Sequence, residues 1–338
     1  MLGRYLLARA VGTVLMAVAV TLPTFLIVHF VPADPVQAQL GDLASGNPEL
    51  VRVFRERWGL DRPIWEQYVI FLNGLAHGNL GESIATRRPV LDDIRDYAPA
   101  TFELATAAAL LTVLVGLPLG VLAALKRDSW IDHLARFVSL IGLSTPTFWL
   151  AFIALALFYG GLRIAPGPGQ LDPGAIPPQR VTGLLLVDSL LAGDLETFRN
   201  ALAHLILPAS VLAASTIGIV TRTTRASMLE ALHQDYVRVA HAKGLRVRVV
   251  VVRHALRNAL IPVLTLGGLA YAQLLSGTVL TETIFSWPGL GRYAFESAVA
   301  VDFPAILGIT LVVALIYLLV NFLVDMSYAI IDPRVARE

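Results

Sequence analysis

Residues 104–125 read LATAAALLTVLVGLPLGVLAAL, 22 positions without a charge. A helix needs ~20 apolar residues to cross ~30 Å of hydrocarbon, so this stretch is long enough to span a bilayer. Only helices and closed barrels satisfy every backbone group in lipid. A barrel strand alternates in polarity, and Leu-Leu-Thr-Val-Leu-Val at 110–115 does not. Five more charge-free stretches follow the same rule: 10–33 (24 residues), 137–162 (26), 200–221 (22), 258–281 (24) and 303–324 (22). A charge at a helix centre costs about 2.5–3.5 kcal/mol on insertion scales, so the intervals between charges mark the spans. The sequence predicts an all-α integral membrane protein with six transmembrane helices.

Composition agrees. The 338 residues are 56% hydrophobic and 15% charged, with a mean hydropathy of +0.68, whereas soluble domains are about a quarter charged. The net charge of +1 supplies no basic field for nucleic acid. The chain has no cysteine, which excludes disulfides, thiol catalysis and cysteine-ligated metals. Lys126 and Lys243 are its lysines and neither follows a glycine, so there is no phosphate loop ending Gly-Lys-Ser/Thr.

Orientation follows from the connections. With a cytoplasmic N-terminus, the inside pieces 1–9, 126–136, 222–257 and the tail after 324 hold 15 Lys/Arg and 7 Asp/Glu. The outside pieces hold 11 and 18. The short loops 126–136 and 222–257 alone carry 11 basic residues, and the positive-inside rule keeps them in the cytoplasm. Both termini are expected there. The apolar run after Arg4 and Arg9 exceeds the 7–15 residues of a typical secretory signal core, so it reads as a retained helix.

Outside, a polar segment from about 34 to 100 contains Gly59-Leu-Asp-Arg-Pro-Ile-Trp-Glu-Gln-Tyr68 and Gly78-Asn-Leu-Gly-Glu-Ser83. Ile64, Trp65, Tyr68, Val69, Phe71 and Leu72 predict a short amphipathic helix within it. A second outside loop, 163–199, opens with Pro166-Gly-Pro-Gly169. Its apolar stretch 184–191 is too short to span and is expected to lie on the membrane surface or against the other outside segment.

The longest inside connection runs Arg225-Ala-Ser-Met-Leu-Glu-Ala-Leu-His-Gln-Asp-Tyr236, Val237-Arg-Val-Ala-His-Ala-Lys-Gly244, then into His254-Ala-Leu-Arg-Asn-Ala-Leu-Ile-Pro262. Leu229, Leu232, Tyr236, Val239 and Ala240 follow helical spacing, predicting short helices with one apolar face. Gly244 suits the left-handed residue that closes such a helix.

On these residues the chain resembles the inner-membrane permease subunits of ABC importers for peptides, specifically the dipeptide/oligopeptide B type. Their cytoplasmic motif reads Glu-Ala-Ala, three residues, Gly, nine residues, Ile-x-Leu-Pro. Here the aligned positions are Arg238-Val239-Ala240, Gly244 and His254-x-Leu256-Arg257, so the alanine, glycine and leucine match the generic pattern. The peptide-permease version, with Asp-Tyr before and His-Ala-Leu-Arg-Asn-Ala after, fits nearly residue for residue. Resemblance continues through Thr281-Glu-Thr-Ile-Phe-Ser-Trp-Pro-Gly-Leu-Gly-Arg292, Asn321-Phe-Leu-Val-Asp325 and Asp332-Pro-Arg334. The long loop 163–199 entering Leu205-Ile-Leu-Pro208 is similar to the dipeptide subtype.

The resemblance implies a type I ABC importer permease fold with periplasmic insertions, in a bacterial inner membrane. Its divisions would be 1–33, an extracytoplasmic 34–98, a core of 99–328 and a cytoplasmic tail of 329–338. It implies half of a translocation pathway for short peptides, dipeptides foremost, with no enzymatic activity and no cofactor in this chain. The implied partners are a homologous second permease in a heterodimer, two cytoplasmic ATPase subunits holding ATP and Mg, and a substrate-binding protein. Related permeases carry glutathione, nickel complexes or haem. The residues implied to couple to the ATPases are Leu229, Leu232, Asp235, Tyr236, Arg238, Val239, Ala240, Lys243 and Gly244, across a cytoplasmic loop of 226–255. Glu282, Phe285, Trp287, Pro288 and Gly289 are candidates for an outer gate or docking surface, and Gln273 for lining the pore.

Two other classes fare worse. An intramembrane protease would need His-Glu-x-x-His, Gly-x-Ser-x-Gly or paired intramembrane aspartates, and none occurs. A secondary transporter usually shows inverted repeats and ionisable residues at the midplane. Here His29 and His204 read as hydrogen-bonded structural residues, Glu103 as an interfacial or capping group, and Arg222 and Arg225 as interfacial anchors. Asn258, Gln273 and Asn321 are expected to join helices. Gly116, Pro118, Gly120 and Ser144-Thr-Pro146 predict kinks or close packing.

Overall fold

The computed structural model describes residues 2–30, 47–58, 61–276 and 278–331. The beginning of the expected outer segment (31–46), residues 332–338 of the tail and the side chains of His29 and Asp325 lie outside the described part. Among the described residues the elements are helices, with an isolated bridge between Glu82 and Pro89.

Among the described residues, five helices are long and apolar enough to cross a membrane. They are α1 (Leu2–Phe30), α4 (Val90–Leu125), α8 (Leu195–Leu232), α10 (Val247–Leu275) and α13 (Phe303–Ile331). A bent pair, α5 (Trp130–Ser144) and α6 (Thr147–Gly161), which meet at 107°, makes a sixth when the two are counted together as one span. The bend falls at Ser144-Thr-Pro146. Pro146 has no N–H to give α5 and pushes the preceding Thr145 into extended backbone, at ψ 126°. The 26-residue charge-free stretch is therefore not one rod.

The helices also outrun the charge-free intervals. α4 starts at Val90, so the division expected at 98/99 falls inside it. Its first turns carry Asp92, Asp93, Arg95 and Asp96 beyond the apolar part. A charge marks where lipid must end, but a helix continues wherever its polar residues meet water or partners.

α8 is the hub, packing on α4, α5 and α10. Small residues let it approach. A Cβ on Gly120 would lie 2.7 Å from the Thr221 carbonyl, and one on Gly218 would lie 2.7 Å from the Ser139 carbonyl. Hydroxyls complete these seams, Thr112 to Thr216 at 2.6 Å and Thr221 to the Gly116 carbonyl at 3.2 Å, and Thr106 joins α4 to Tyr271 of α10 at 3.0 Å. Two of the amides expected in this role are placed otherwise at the atoms described. Asn258 donates to His254 in its own helix, and the buried Oδ1 of Asn321 has no hydrogen-bond partner. His204 is hydrogen-bonded as expected, its Nδ1 2.9 Å from the Asn200 carbonyl.

Three π-helical turns interrupt the ladders, at Thr112–Gly116 in α4, Leu155–Gly161 in α6 and Val250–Leu256 in α10. The first precedes Pro118, whose ring crowds the carbonyl of Leu114 and removes a donor.

Part of the expected outer segment packs on the bundle. α2 (Pro48–Trp58) is followed by α3 (Ile64–Ala76), the amphipathic helix predicted from its apolar spacing. α3 lies against α1, with the Phe25 ring 5.2 Å from Tyr68 and 5.6 Å from Phe71, and Thr21 hydrogen-bonded to the Tyr68 hydroxyl at 2.7 Å.

Candidate coupling and outer-clamp sites

At the end of the bundle expected to face the cytoplasm, the chain leaves α8 at Leu232, turns through His233 and Gln234, and enters α9 (Asp235–Ala242). Val237 and Ala240 of α9 are buried against Met228, Ala231, Val250, Val251 and Ala255, which fixes the helix to the ends of α8 and α10. Tyr236 and Val239 face outward, 39% and 51% exposed. Asp235 and Arg238 flank them as an exposed pair 3.4 Å apart.

Gly244 ends α9 with φ +73°. Its N–H donates to the His241 carbonyl at 2.9 Å, and the Leu245 N–H reaches back to Ala240 at 3.3 Å. That pair of bonds is a Schellman closure, which requires a left-handed residue at this point. Space around the missing Cβ is open, so the requirement is conformational.

The expected coupling residues thus divide. Asp235, Tyr236, Arg238, Val239 and Lys243 lie on the exposed side with Gly244, while Ala240 faces in. Leu229 and Leu232 are corrected: they belong to α8 and pack on the inner cluster beneath α9. Their spacing with Tyr236 is helical only if one helix runs through, and the break at 233–234 shifts the phase. The expected loop 226–255 is mostly helix, comprising the end of α8, α9 and the start of α10.

On the opposite side, α11 (Val279–Ile284) and α12 (Leu290–Val299) form a corner over the outer part of α4. Glu282 is wholly buried there. Its carboxylate accepts from Thr101 Oγ1 at 2.7 Å and from the Arg292 N–H at 3.0 Å. Burial pushes its pKa up against those bonds and those from Thr278 and Gly291. A Cβ on Gly289 would lie 2.5 Å from the carboxyl atoms, so glycine is what lets the turn close over Glu282. Trp287 is 1% exposed, and its Nε1–H donates to the Ala100 carbonyl at 2.9 Å. Phe285 is buried with Ala151, Ala154 and Val211 of α6 and α8.

Of the outer gate or docking surface expected from these residues, the exposed docking face is corrected. Glu282, Phe285, Trp287 and Gly289 point inward and Pro288 is half-buried, because the carboxylate and indole need partners that α4 supplies. They make an internal clamp.

Asp302 and Asp93 are among the buried aspartates that escaped the sequence reading. Asp302 accepts from Ser83 at 2.6 Å and the Ala85 N–H at 3.0 Å, and caps α13 through the Ala305 N–H at 3.2 Å. Asp93 holds the Tyr293 hydroxyl at 3.0 Å and Arg88 at 3.2 Å. Glu103, expected at an interface or cap, does cap a helix: it accepts from Leu186 N–H at 2.7 Å, in the first turn of α7 (Leu185–Leu191). Asp188 of α7 is buried and takes N–H groups from Thr182 at 2.8 Å and Gly183 at 2.9 Å. Gln273 lies exposed on α10. Among the described residues no group of three His, Asp or Glu stands close enough to hold a metal.

Comparison with known proteins places this geometry. Residues 116–337 match the family described as binding-protein-dependent transport system inner membrane component, and residues 1–105 match its N-terminal component. The chain is 49% identical to the probable D,D-dipeptide transport system permease protein DdpB of Escherichia coli K12, over 97% of this chain and 96% of the relative. It is 45% identical to the di/tripeptide transport system permease protein DppB of Pseudomonas aeruginosa, over 94% of each. It is 41% identical to the dipeptide transport system permease protein DppB of Alkalihalophilus pseudofirmus, over 98% of each.

Proposed function

Because this chain belongs to the binding-protein-dependent transport system inner membrane components, we propose that it is the permease subunit of an ATP-driven importer of short peptides, dipeptides foremost. It would pair with a homologous permease in the inner membrane, each providing half of the path. A substrate-binding protein would deliver the peptide outside, and two ATPase subunits carrying ATP and Mg would work from the cytoplasm. Both termini face the cytoplasm in this reading. The division into 1–33, 34–98, 99–328 and a tail of 329–338 remains our assignment of the chain's parts. Gln273, exposed on α10, is our candidate for the path lining.

The observation that carries the coupling role is the two-sidedness of α9. Val237 and Ala240 anchor it to the permease while Tyr236 and Val239 stay uncovered, with charges beside them. A short helix held on one face and free on the other suits a groove on an ATPase subunit. Leu229, Leu232 and Ala240 then support the seat from below.

Reconstituted complex tests this. Tyr236→Ala and Gly244→Val should leave membrane insertion intact and abolish peptide uptake. The ATPases should either dissociate or hydrolyse ATP without responding to loaded binding protein. Wild-type uptake by both assembled variants would reduce α9 to an ordinary connection.

A further inference from the structure

Asp132 sits in the first turn of α5, and its side chain has no solvent exposure. Three neighbours donate to its carboxylate. Arg225 of α8 grips both oxygens, Nε to Oδ1 at 2.6 Å and Nη2 to Oδ2 at 2.8 Å. Arg136 reaches Oδ2 at 2.8 Å, and the Asp128 N–H reaches it at 3.0 Å. A buried charge is tolerated when paired and hydrogen-bonded, and a two-point guanidinium contact fixes orientation as well as charge. Arg225 is only 21% exposed, so it is no free anchor at the membrane surface, and that sequence expectation is replaced.

Position gives the contact its meaning. Three residues beyond Arg225 on α8 is Met228, fully buried in the cluster that seats Val237 and Ala240 of α9. Residues three apart share a helix face. One turn of α8 thus holds both the seat of α9 and the grip on α5. Beyond α5 lies the 107° bend into α6.

We propose that Asp132 and Arg225 are a positioning pair that carries displacement of α9, through α8, to the bent α5–α6 span during transport. This rests on the reading of α9 as the ATPase contact. A guanidinium locked on both oxygens cannot slide along them, so α5 must follow α8. A lysine at 225 would keep the charge but hold a single pivoting point.

The test uses the full reconstituted complex with its binding protein, measuring peptide imported per ATP hydrolysed. Arg225→Lys should assemble and hydrolyse ATP, with that ratio lowered about tenfold, the size of a typical coupling between sites. Asp132→Asn, which keeps the shape but removes the charge, should act in the same direction. An unchanged ratio in assembled Arg225→Lys overturns the proposal. So does failure of both variants to assemble, which would make the pair a static brace; if only Asp132→Asn fails, Arg225→Lys decides. Tyr236→Ala is run in parallel. Should it uncouple while Arg225→Lys does not, the pair is rejected and the α9 reading stands. Should Tyr236→Ala transport normally, the α9 reading falls and takes this route with it.

Discussion

Thr101 Oγ1 donates to Glu282 at 2.7 Å and accepts the Leu290 N–H at 2.7 Å, so one hydroxyl ties the outer part of α4 to both helices of the corner above it. The Glu282 contact joins residues 181 positions apart. Thr101→Val keeps the shape but strips a donor from a buried carboxylate and strands a buried N–H. Leaving such groups unpaired costs about 2–3 kcal/mol. The thermal midpoint of the detergent-purified protein should fall accordingly, and Thr101→Ser should recover most of the loss.

A methyl group should matter at Gly218 and not at Gly267. At Gly218 it would press on the Ser139 carbonyl of α5, whereas at Gly267 it would meet open space. Backbone cannot yield as a side chain can, and overpacking typically costs about 1–3 kcal/mol. Gly218→Ala should therefore lower folded yield after membrane extraction, while Gly267→Ala should match wild type. Equal yields would mean that α5 and α8 are not so close.

The outer loop should loosen in acid. Burial pushes the Asp188 carboxyl up, but bonds from Thr182, Gly183 and Val181 outweigh it and hold its pKa below the ordinary 3.8. A lowered folded pKa contributes stability above the unfolded value, which is lost as pH falls through the folded one. Protease cleavage of 163–199 in vesicles with their outer face accessible should rise below about pH 4 in wild type. Asp188→Asn should be cleaved readily at neutral pH, with a flatter acid dependence.

Sidedness can be measured cleanly because the native chain has no cysteine. An impermeant thiol reagent added to intact cells should modify cysteines placed at Glu49 and Gln170, and spare one at Gln234. Labelling at Gln234 would invert the orientation and remove α9 from reach of any cytoplasmic motor.

The sequence announced the spans through the cost of charge in lipid, and Pro146 announced the bend. Helix ends were less legible, since Glu103 closes the charge-free interval and Asp92, Asp93 and Asp96 lie beyond it, all without ending α4. At the candidate coupling site the glycine at 244 was readable because a left-handed closure favours one residue type. The outward face was not, because periodicity read across residues 233–234 assumes a continuous helix. The clamp around Glu282 and the grip of Arg225 on Asp132 were invisible for another reason. Contacts 181 and 93 positions apart leave no local pattern.

The π-turn at Thr112–Gly116 inserts one surplus residue into α4. A residue turns an α-helix by about 100°, so side chains below the insertion are rotated by that much against those above it. A helical wheel drawn for the whole of 90–125 therefore misassigns one half of it. Scanning that helix position by position should yield two periodic patterns out of step, with the slip between residues 112 and 116. The outer half can then keep its grip on Glu282 and Trp287 while the inner half presents an independently chosen stripe to α8.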